Sequence, residues 1–159
     1  MMFAQALLLL FVANGAPIVA RLLLAGRLAW PVDHAYLFFD GRPLLGHSKT
    51  WRGIFFSLLL TSLVALLLAL PWQVGLLFAF YAMCGDLLSS FIKRRSGIEP
   101  SGRALGLDQV PEALLPLLLL QSPLALTWHD IILLVILFIV LGQLFSRLLY
   151  RLHIRNRPY

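Results

Sequence analysis

The residues best suited to chemistry lie in the middle of the chain, where carboxylates, hydroxyls and cations interrupt apolar sequence. They are Asp86, Ser90, Lys93, Arg94, Arg95, Asp108 and Gln109. Charged groups at membrane depth are costly and are usually kept for function. Carboxylates beside a basic cluster suit a site that handles phosphates together with a divalent metal. The pattern therefore predicts such a site at a membrane surface.

Helical spacing places three of these side chains on one face, because Asp86, Ser90 and Lys93 follow i, i+4, i+7 spacing. At about 1.5 Å per residue, Asp86 lies roughly 10 Å along the helix from Lys93. A carboxylate in hydrocarbon must be neutral, paired or metal-bound. We predict Asp86 and Asp108 as Mg²⁺ ligands and, with Lys93, as the catalytic set. The alternative is a structural ion pair of Asp86 with Lys93 or Arg94.

A second basic segment stands directly before another apolar run. It contains Lys49, Thr50 and Arg52, followed by Gly53. Free backbone N–H groups at a helix N-terminus favour phosphate binding, although the spacing does not match a Walker A loop. A solvated basic loop is the alternative for this segment alone. The predicted nucleotide- and phosphate-binding set is Lys49, Thr50, Arg52, Ser90, Lys93, Arg94, Arg95 and Gln109.

The composition indicates that these residues belong to a membrane protein. The chain is 60% hydrophobic and only 13% charged, against about 45–50% apolar residues in soluble domains. Its apolar runs are separated by polar or proline-containing breaks, and each span needs roughly 20 residues. We predict an all-α integral membrane protein with a single domain, residues 1–159, and about five transmembrane helices. The predicted helices are Phe3 to Leu24, Ile54 to Leu70, Gln73 to Ile92, Val110 to Leu120 and Ile131 to Tyr150.

The basic residues predict the orientation of those helices. Every Lys and Arg lies in the loop 26–52, the loop 93–108 or the tail 151–159, except Arg21 and Arg147, which lie near the same end of the first and fifth predicted helices. The positive-inside rule then places both polar loops and the C-terminal tail in the cytoplasm and the N-terminus outside. This predicts a multi-pass protein of the cytoplasmic membrane whose first helix is retained. Its net charge of +6 faces anionic lipid or phosphates, and nucleic acid is disfavoured because no soluble basic domain exists.

At the same residues the chain resembles the CDP-archaeol synthases, integral-membrane cytidylyltransferases related to the CDP-diacylglycerol synthases. The resemblance covers nearly the whole chain. Its motifs are Asp40-Gly41-Arg42, Gly46 with Lys49-Thr50 and Arg52-Gly53, Gly85-Asp86, Ser90 to Arg95, Gly97-Ile98 and Leu107-Asp108-Gln109, with Asn14, Pro17, His153 and Asn156 at further family positions. The resemblance implies a five-helix enzyme that moves CMP from CTP to a lipid phosphate with Mg²⁺ and releases pyrophosphate.

The chain departs from the family pattern at two places. Ser48 stands where a glycine is usual, and Pro111 and Glu112 follow Gln109 where the archaeal pattern has a second Asp. Whether Glu112 replaces that acid, and which lipid phosphate is used, stay open at this point. Two other functions also stay open: a non-catalytic anionic-lipid-binding protein or small transporter, and a CTP-dependent lipid kinase that would leave CDP. The sequence does not predict an oligomeric state.

Overall fold

Five α-helices form the described part of the protein, which in this computed structural model comprises residues 2–98 and 106–151, with side chains up to residue 145. The helices are α1 (Met2–Leu24), α2 (Trp51–Leu67), α3 (Trp72–Arg95), α4 (Gln109–Leu119) and α5 (Trp128–Arg151). Among these residues there is no β-sheet, only two isolated bridges in the loop that joins α1 to α2. The predicted all-α membrane fold is confirmed. The predicted tail positions His153 and Asn156 lie outside the described residues.

Three of the described helices are long and apolar enough to cross a membrane on their own. They are Met2–Leu24, Trp72–Arg95 and, within α5, Trp128–Phe145, with mean hydropathies of 2.1, 1.6 and 2.2. Helices α2 and α4 have 17 and 11 residues, which correspond to about 25 Å and about 16 Å of rise. A hydrocarbon core of about 30 Å exceeds both lengths. Five full spans and their orientation therefore stay predictions.

Helix ends differ from the predicted ends where polar groups extend a helix beyond its apolar run. Helix α3 continues past Ile92 to Arg95, because basic side chains suit a helix C-terminus. Helix α5 begins at Trp128 and not at Ile131. Its first turn is closed by Thr127 and Asp130, since Asp130 Oδ2 accepts from the Thr127 N–H at 2.8 Å and Thr127 Oγ1 accepts from the Asp130 N–H at 3.2 Å.

Small side chains bring α1, α2 and α3 close together. A Cβ on Gly75 of α3 would lie 2.6 Å from both the Ala65 Cβ and the Thr61 carbonyl oxygen of α2. The Ser57 hydroxyl donates to the Ala13 carbonyl of α1 at 2.8 Å. Such close backbone approach is the usual way in which membrane helices associate. Helix α3 consequently packs against α1, α2 and α4, and it holds its polar residues between its neighbours.

The chain reverses direction at each connection, so one end of the bundle collects the polar groups. The C-terminal ends of α1 and α3 meet the N-terminal ends of α2 and α4 there. The loop of residues 25–50, called here the first loop, covers this end and contacts the last turn of α3 through Arg42, whose Nη1 donates to the Arg95 carbonyl at 2.8 Å. The described part of the chain thus gathers the predicted site segments at one end.

Candidate active site

Two ion pairs connect the three segments in which the sequence predicted a site. Lys49 Nζ lies 2.5 Å from Asp86 Oδ1, which joins the first loop to α3. Lys93 Nζ lies 2.6 Å from Asp108 Oδ1, which joins the last turn of α3 to the start of α4. The alternative prediction, an ion pair of Asp86 with Lys93 or Arg94, does not match the ion pairs of the described residues. Asp86 is instead paired with a cation from the predicted phosphate-binding segment.

Glu112 is the residue that sequence reasoning left undecided. It lies in the first turn of α4, with its carboxyl group close to that of Asp86. The contact depends on Gly85, because a Cβ at this position would lie 2.5 Å from the Pro111 carbonyl carbon and 2.7 Å from the Glu112 nitrogen. Glycine therefore lets α4 approach α3 closely enough for two carboxyl groups to meet. The Gly85-Asp86 pair and the departure at Glu112 were both visible in the sequence, but their contact was not.

The electrostatics of Lys49 follow from these carboxyl groups. Burial alone would lower the pKa of the Lys49 ammonium, but the negative charges of Asp86 and Glu112 outweigh burial and raise the pKa. The ammonium therefore stays charged at neutral pH although it is held against α3. Lys49 is thus a fixed cation beside carboxylates. A phosphate oxygen could bind to it once a metal ion neutralised those carboxylates.

Arg94 and Ser90 lie deeper than a basic flank requires. Their residues are 3% and 2% exposed. Within the described part of the chain, Arg94 Nε and Nη1 have no hydrogen-bond partner. An unsatisfied guanidinium is costly when it is buried. Arg94 consequently has two nitrogens whose N–H groups can donate to an anion.

Arg95 occupies a different position from its neighbours, because the first loop surrounds it. Arg95 Nη1 lies 2.5 Å from Asp40 Oδ1, and Nη2 donates to the Pro43 carbonyl at 2.7 Å. Its guanidinium also lies over the rings of Phe38 and Phe91, at 4.6 and 5.2 Å from their centroids. These contacts fasten the first loop to α3. They occupy Nη1 and Nη2 of Arg95, while its Nε has no hydrogen-bond partner among the described residues.

The remaining predicted site residues lie at the edges of this arrangement. Arg52 Nη1 donates to the Ala25 and Arg27 carbonyls, each at 2.6 Å, and so ties the start of α2 to the end of α1. Thr50 precedes α2 and forms a bridge with Pro31. Gln109 begins α4, and its Oε1 accepts from the Gly106 N–H at 3.2 Å. The structure therefore brings together Lys49, Asp86, Lys93 and Asp108, with Arg94 and Ser90 nearby, and places Arg52 and Gln109 in backbone contacts.

Carboxylate oxygens are the kind of ligand that a hard cation such as Mg²⁺ prefers. Across the described residues, no group of three His, Cys, Asp or Glu side chains is arranged to hold a metal by itself. Mg²⁺ does not require one, because it usually takes one or two carboxylates together with substrate phosphates and water. The carboxyl groups of Asp86 and Glu112 lie close together, and a cation bound there would stabilise both as carboxylates. The oxygen donor set is thus compatible with Mg²⁺.

A cavity of about 70 Å³ lies beside the Lys49–Asp86 pair and is also lined by Pro17, Gly53 and Met83. Nucleotide-sized pockets are several times larger, about 300–1,000 Å³. The cavity can hold water molecules or phosphate oxygens, and a nucleotide would have to lie mainly at the polar end of the bundle.

Known proteins resemble this chain over most of its length. A family model described as "CarS-like: CDP-archaeol synthase" matches residues 1–74 and 71–159. A CDP-archaeol synthase of Saccharolobus solfataricus is 34% identical, over 94% of this chain and 90% of the relative. A CDP-archaeol synthase of Sulfurisphaera tokodaii is 35% identical, over 93% of this chain and 89% of the relative. The chain belongs to the CDP-archaeol synthase family.

The fold of this chain is also similar to a solved structure, that of an intramembrane enzyme for archaeal membrane lipids biosynthesis. The two chains are 28% identical and superimpose with a TM-score of 0.68, over 88% of this chain and 91% of the other. The predicted family and its enzyme class are confirmed, and so is the prediction of a membrane protein. A non-catalytic lipid-binding protein or transporter is disfavoured by family membership.

Proposed function

We propose that this protein transfers CMP from CTP to a membrane lipid phosphate and releases pyrophosphate. The observation that carries the proposal is the meeting of Lys49, Asp86, Lys93 and Asp108 at the polar end of a membrane bundle, in a chain of the CDP-archaeol synthase family. A phosphate oxygen of the lipid attacks the α-phosphorus of CTP, and the bond between that phosphorus and the bridging oxygen to the β-phosphate breaks. The lipid phosphate is already anionic, so no Ser-His pair is needed.

The main barrier is electrostatic, because two polyanions must approach each other. Cations fixed in place before the reaction lower such a barrier without reorganisation. Lys49 and Lys93 are cations that lie against the carboxylates of the site, and two nitrogens of Arg94 have no hydrogen-bond partner among the described residues. We assign these three residues to the phosphates. Ser90, in the same buried turn, supports them as a hydrogen-bond donor.

We assign Mg²⁺ to Asp86 and Asp108, with Glu112 as an additional carboxylate that contacts Asp86. When bound, the ion supplies positive charge that offsets the triphosphate. With a cation on these carboxylates, Lys49 and Lys93 would be free to turn from their ion pairs to phosphate oxygens. Arg95 and Arg52 have positioning roles. Arg95 holds the first loop on α3, and Arg52 holds α2 on the end of α1.

The cytoplasmic membrane is the proposed location, with the polar end of the bundle facing CTP on the cytoplasmic side. The basic residues of the loops support this orientation through the positive-inside rule.

The test is product analysis with purified protein in lipid bilayers, CTP, Mg²⁺ and a panel of lipid phosphates. We expect pyrophosphate and a CDP-lipid in equal amounts, and no CDP. Formation of CDP and a lipid pyrophosphate would instead show a CTP-dependent kinase. Absence of CTP turnover with every lipid phosphate, in protein that is folded, would contradict the proposal.

A further inference from the structure

All four tryptophans of the chain are exposed, and each lies at or beside the start of a helix. Trp51, Trp72 and Trp128 are the first residues of α2, α3 and α5, and the Trp30 carbonyl accepts from the Trp51 N–H at 3.1 Å. Their exposed fractions are 67% for Trp30, 50% for Trp51, 48% for Trp72 and 63% for Trp128. Large indoles placed this way contribute little to the protein core. Among the described residues, these indoles are therefore left to face lipid or water.

The tryptophans form two pairs at opposite ends of the bundle. Trp30 and Trp51 lie at the polar end, beside Lys49, whereas Trp72 and Trp128 follow the two turns at the other end. Tryptophan is enriched at both membrane–water interfaces, where its ring is apolar and its N–H can reach water. We infer that the two pairs mark the two interfacial planes of the bilayer, and that the Lys49–Asp86 ion pair lies at the plane marked by Trp30 and Trp51.

Two helix lengths measured independently agree on this depth. Fourteen residues of α3 separate Trp72 from Asp86, which is about 21 Å of rise. Helix α2 runs from Trp51 for 17 residues toward the same opposite end, which is about 25 Å. Lys49 precedes Trp51 by two residues and is bonded to Asp86. The carboxylate therefore lies within a few ångströms of the Trp51 plane. The two planes are then about 21–25 Å apart, less than a typical hydrocarbon core of about 30 Å, so the bilayer thins locally to match the protein.

The surface between the two planes is apolar and continuous. On α2 the side of the helix that carries Trp51 continues through Phe55, Leu59 and Leu63, which are 62%, 44% and 47% exposed. These residues follow i, i+4 spacing and form one stripe. On α5, Ile132 and Ile136 are 60% and 51% exposed. In a membrane protein such stripes face lipid chains, and they end where the tryptophans begin.

The consequence for function rests on the proposed cytidylyltransferase activity. Lipid phosphates lie at the headgroup level, adjacent to the interfacial indoles. A lipid of that leaflet can therefore present its phosphate to Lys49 without being lifted out of the bilayer. The open cavity of about 740 Å³ lined by Trp30, Trp51 and His34 lies on the same plane, where headgroups fill it.

The experiment measures tryptophan depth by fluorescence quenching, with lipids brominated near the ester groups or near the chain ends. Each native tryptophan is studied alone, with the other three replaced by Phe. A protein with all four replaced then carries either Leu88→Trp or Phe80→Trp. These two α3 residues are 47% and 50% exposed. Leu88 lies half a turn beyond Asp86, whereas Phe80 lies about midway between Trp72 and Asp86, so the second variant calibrates the bilayer centre on the same helix.

We expect the four native tryptophans and Leu88→Trp to be quenched at least about twofold more by the shallow bromines than by the deep ones, as interfacial residues. Phe80→Trp should show the reverse preference. A Leu88→Trp protein quenched as deeply as Phe80→Trp would overturn the depth of the site. Native tryptophans that neither lipid quenches would overturn the interfacial assignment, because a protein surface would then cover them. The measurement needs no turnover, so its result is independent of the cytidylyltransferase proposal.

Discussion

Lys49 Nζ lies 2.5 Å from Asp86 Oδ1, and this pair connects residues that are 37 positions apart in the chain. It places the basic segment before α2 against the face of α3 that carries Asp86. Asp86 also contacts Glu112 of α4, so three separate elements meet at one carboxylate. In the proposed reaction the pair must open when phosphates and metal bind. Asp86 therefore both organises the site and takes part in it.

Lys93 and Arg95 are expected to respond differently to exchange of their basic groups. Lys93→Arg should insert and fold normally yet lose most Mg²⁺-dependent pyrophosphate release, because a planar guanidinium does not replace a compact ammonium at a tight phosphate site. The measurement is pyrophosphate release per folded molecule. Full activity of Lys93→Arg would return this residue to the role of a basic helix flank.

Arg95→Lys is the matched variant for stability. Lysine cannot reproduce the two-pronged contact with Asp40 and the Pro43 carbonyl, so we expect a loss of about 1–2 kcal/mol in the free energy of unfolding. Activity per folded molecule at saturating CTP should change less than for Lys93→Arg. A thermal unfolding midpoint equal to that of the wild type would show that the first loop does not depend on Arg95.

Gly85 is expected to tolerate no side chain. A Cβ there meets backbone atoms of Pro111 and Glu112, so Gly85→Ala should cost about 3 kcal/mol, at the upper end of ordinary overpacking, and should move Glu112 away from Asp86. Gly142→Ala is the control, because no described atom lies within 4 Å of a Cβ at that position. Equal thermal stability of the two variants would contradict the close α3–α4 contact.

Much of this architecture could be predicted from the sequence, because long apolar runs and their breaks determine where membrane helices lie. The five helices and the segments that carry the site agree with those patterns. Contacts between elements could not be predicted: the partner of Asp86 is Lys49, and the partner of Arg95 is Asp40. These pairs depend on how the helices pack, and the spacing of residues along the chain does not determine that packing. Glu112 was recognisable only as a departure from a family pattern.

Asp33 was also missed as a structural residue, because a lone loop aspartate has no sequence signal. Its carboxylate accepts from the Leu45 and Gly46 N–H groups, each at 2.9 Å, and from the Ala35 N–H at 3.1 Å. Burial alone would raise the pKa of Asp33, but these hydrogen bonds outweigh it and lower the pKa below the ordinary value of 3.8. Asp33 is thus the organising residue of the first loop.

The pH dependence of Asp33 follows from that direction. Because the folded-state pKa is lowered, the stabilisation is present above pH 3.8 and is lost as the pH falls through the folded-state pKa. We expect Asp33→Asn to lose about 1–3 kcal/mol at neutral pH and the difference from the wild type to shrink in strong acid. Denaturant unfolding at several pH values measures this. A difference that stays constant into strong acid would contradict the role of the carboxylate.

The orientation of the bundle can be tested with two single cysteines in a Cys84→Ala background. Phe39 of the first loop is 98% exposed, and Trp72 at the opposite end is 48% exposed. In intact cells an impermeant thiol reagent should label Trp72→Cys and leave Phe39→Cys unlabelled until the membrane is opened, as the positive-inside rule predicts. Labelling of both cysteines in intact cells would exclude the proposed topology.

The most direct measurement of the central claim follows the α-phosphate of CTP into lipid. With CTP labelled at that phosphate, a lipid phosphate acceptor and Mg²⁺, the wild-type protein should transfer label to the lipid fraction. Asp86→Asn, which keeps the shape of the side chain, should transfer at least about 100-fold less, a loss of about 2.7 kcal/mol of transition-state stabilisation. Asp130→Asn, at the opposite end of the bundle, should transfer normally. Near-normal transfer by folded Asp86→Asn, or label that never reaches lipid in the wild type, would contradict the account.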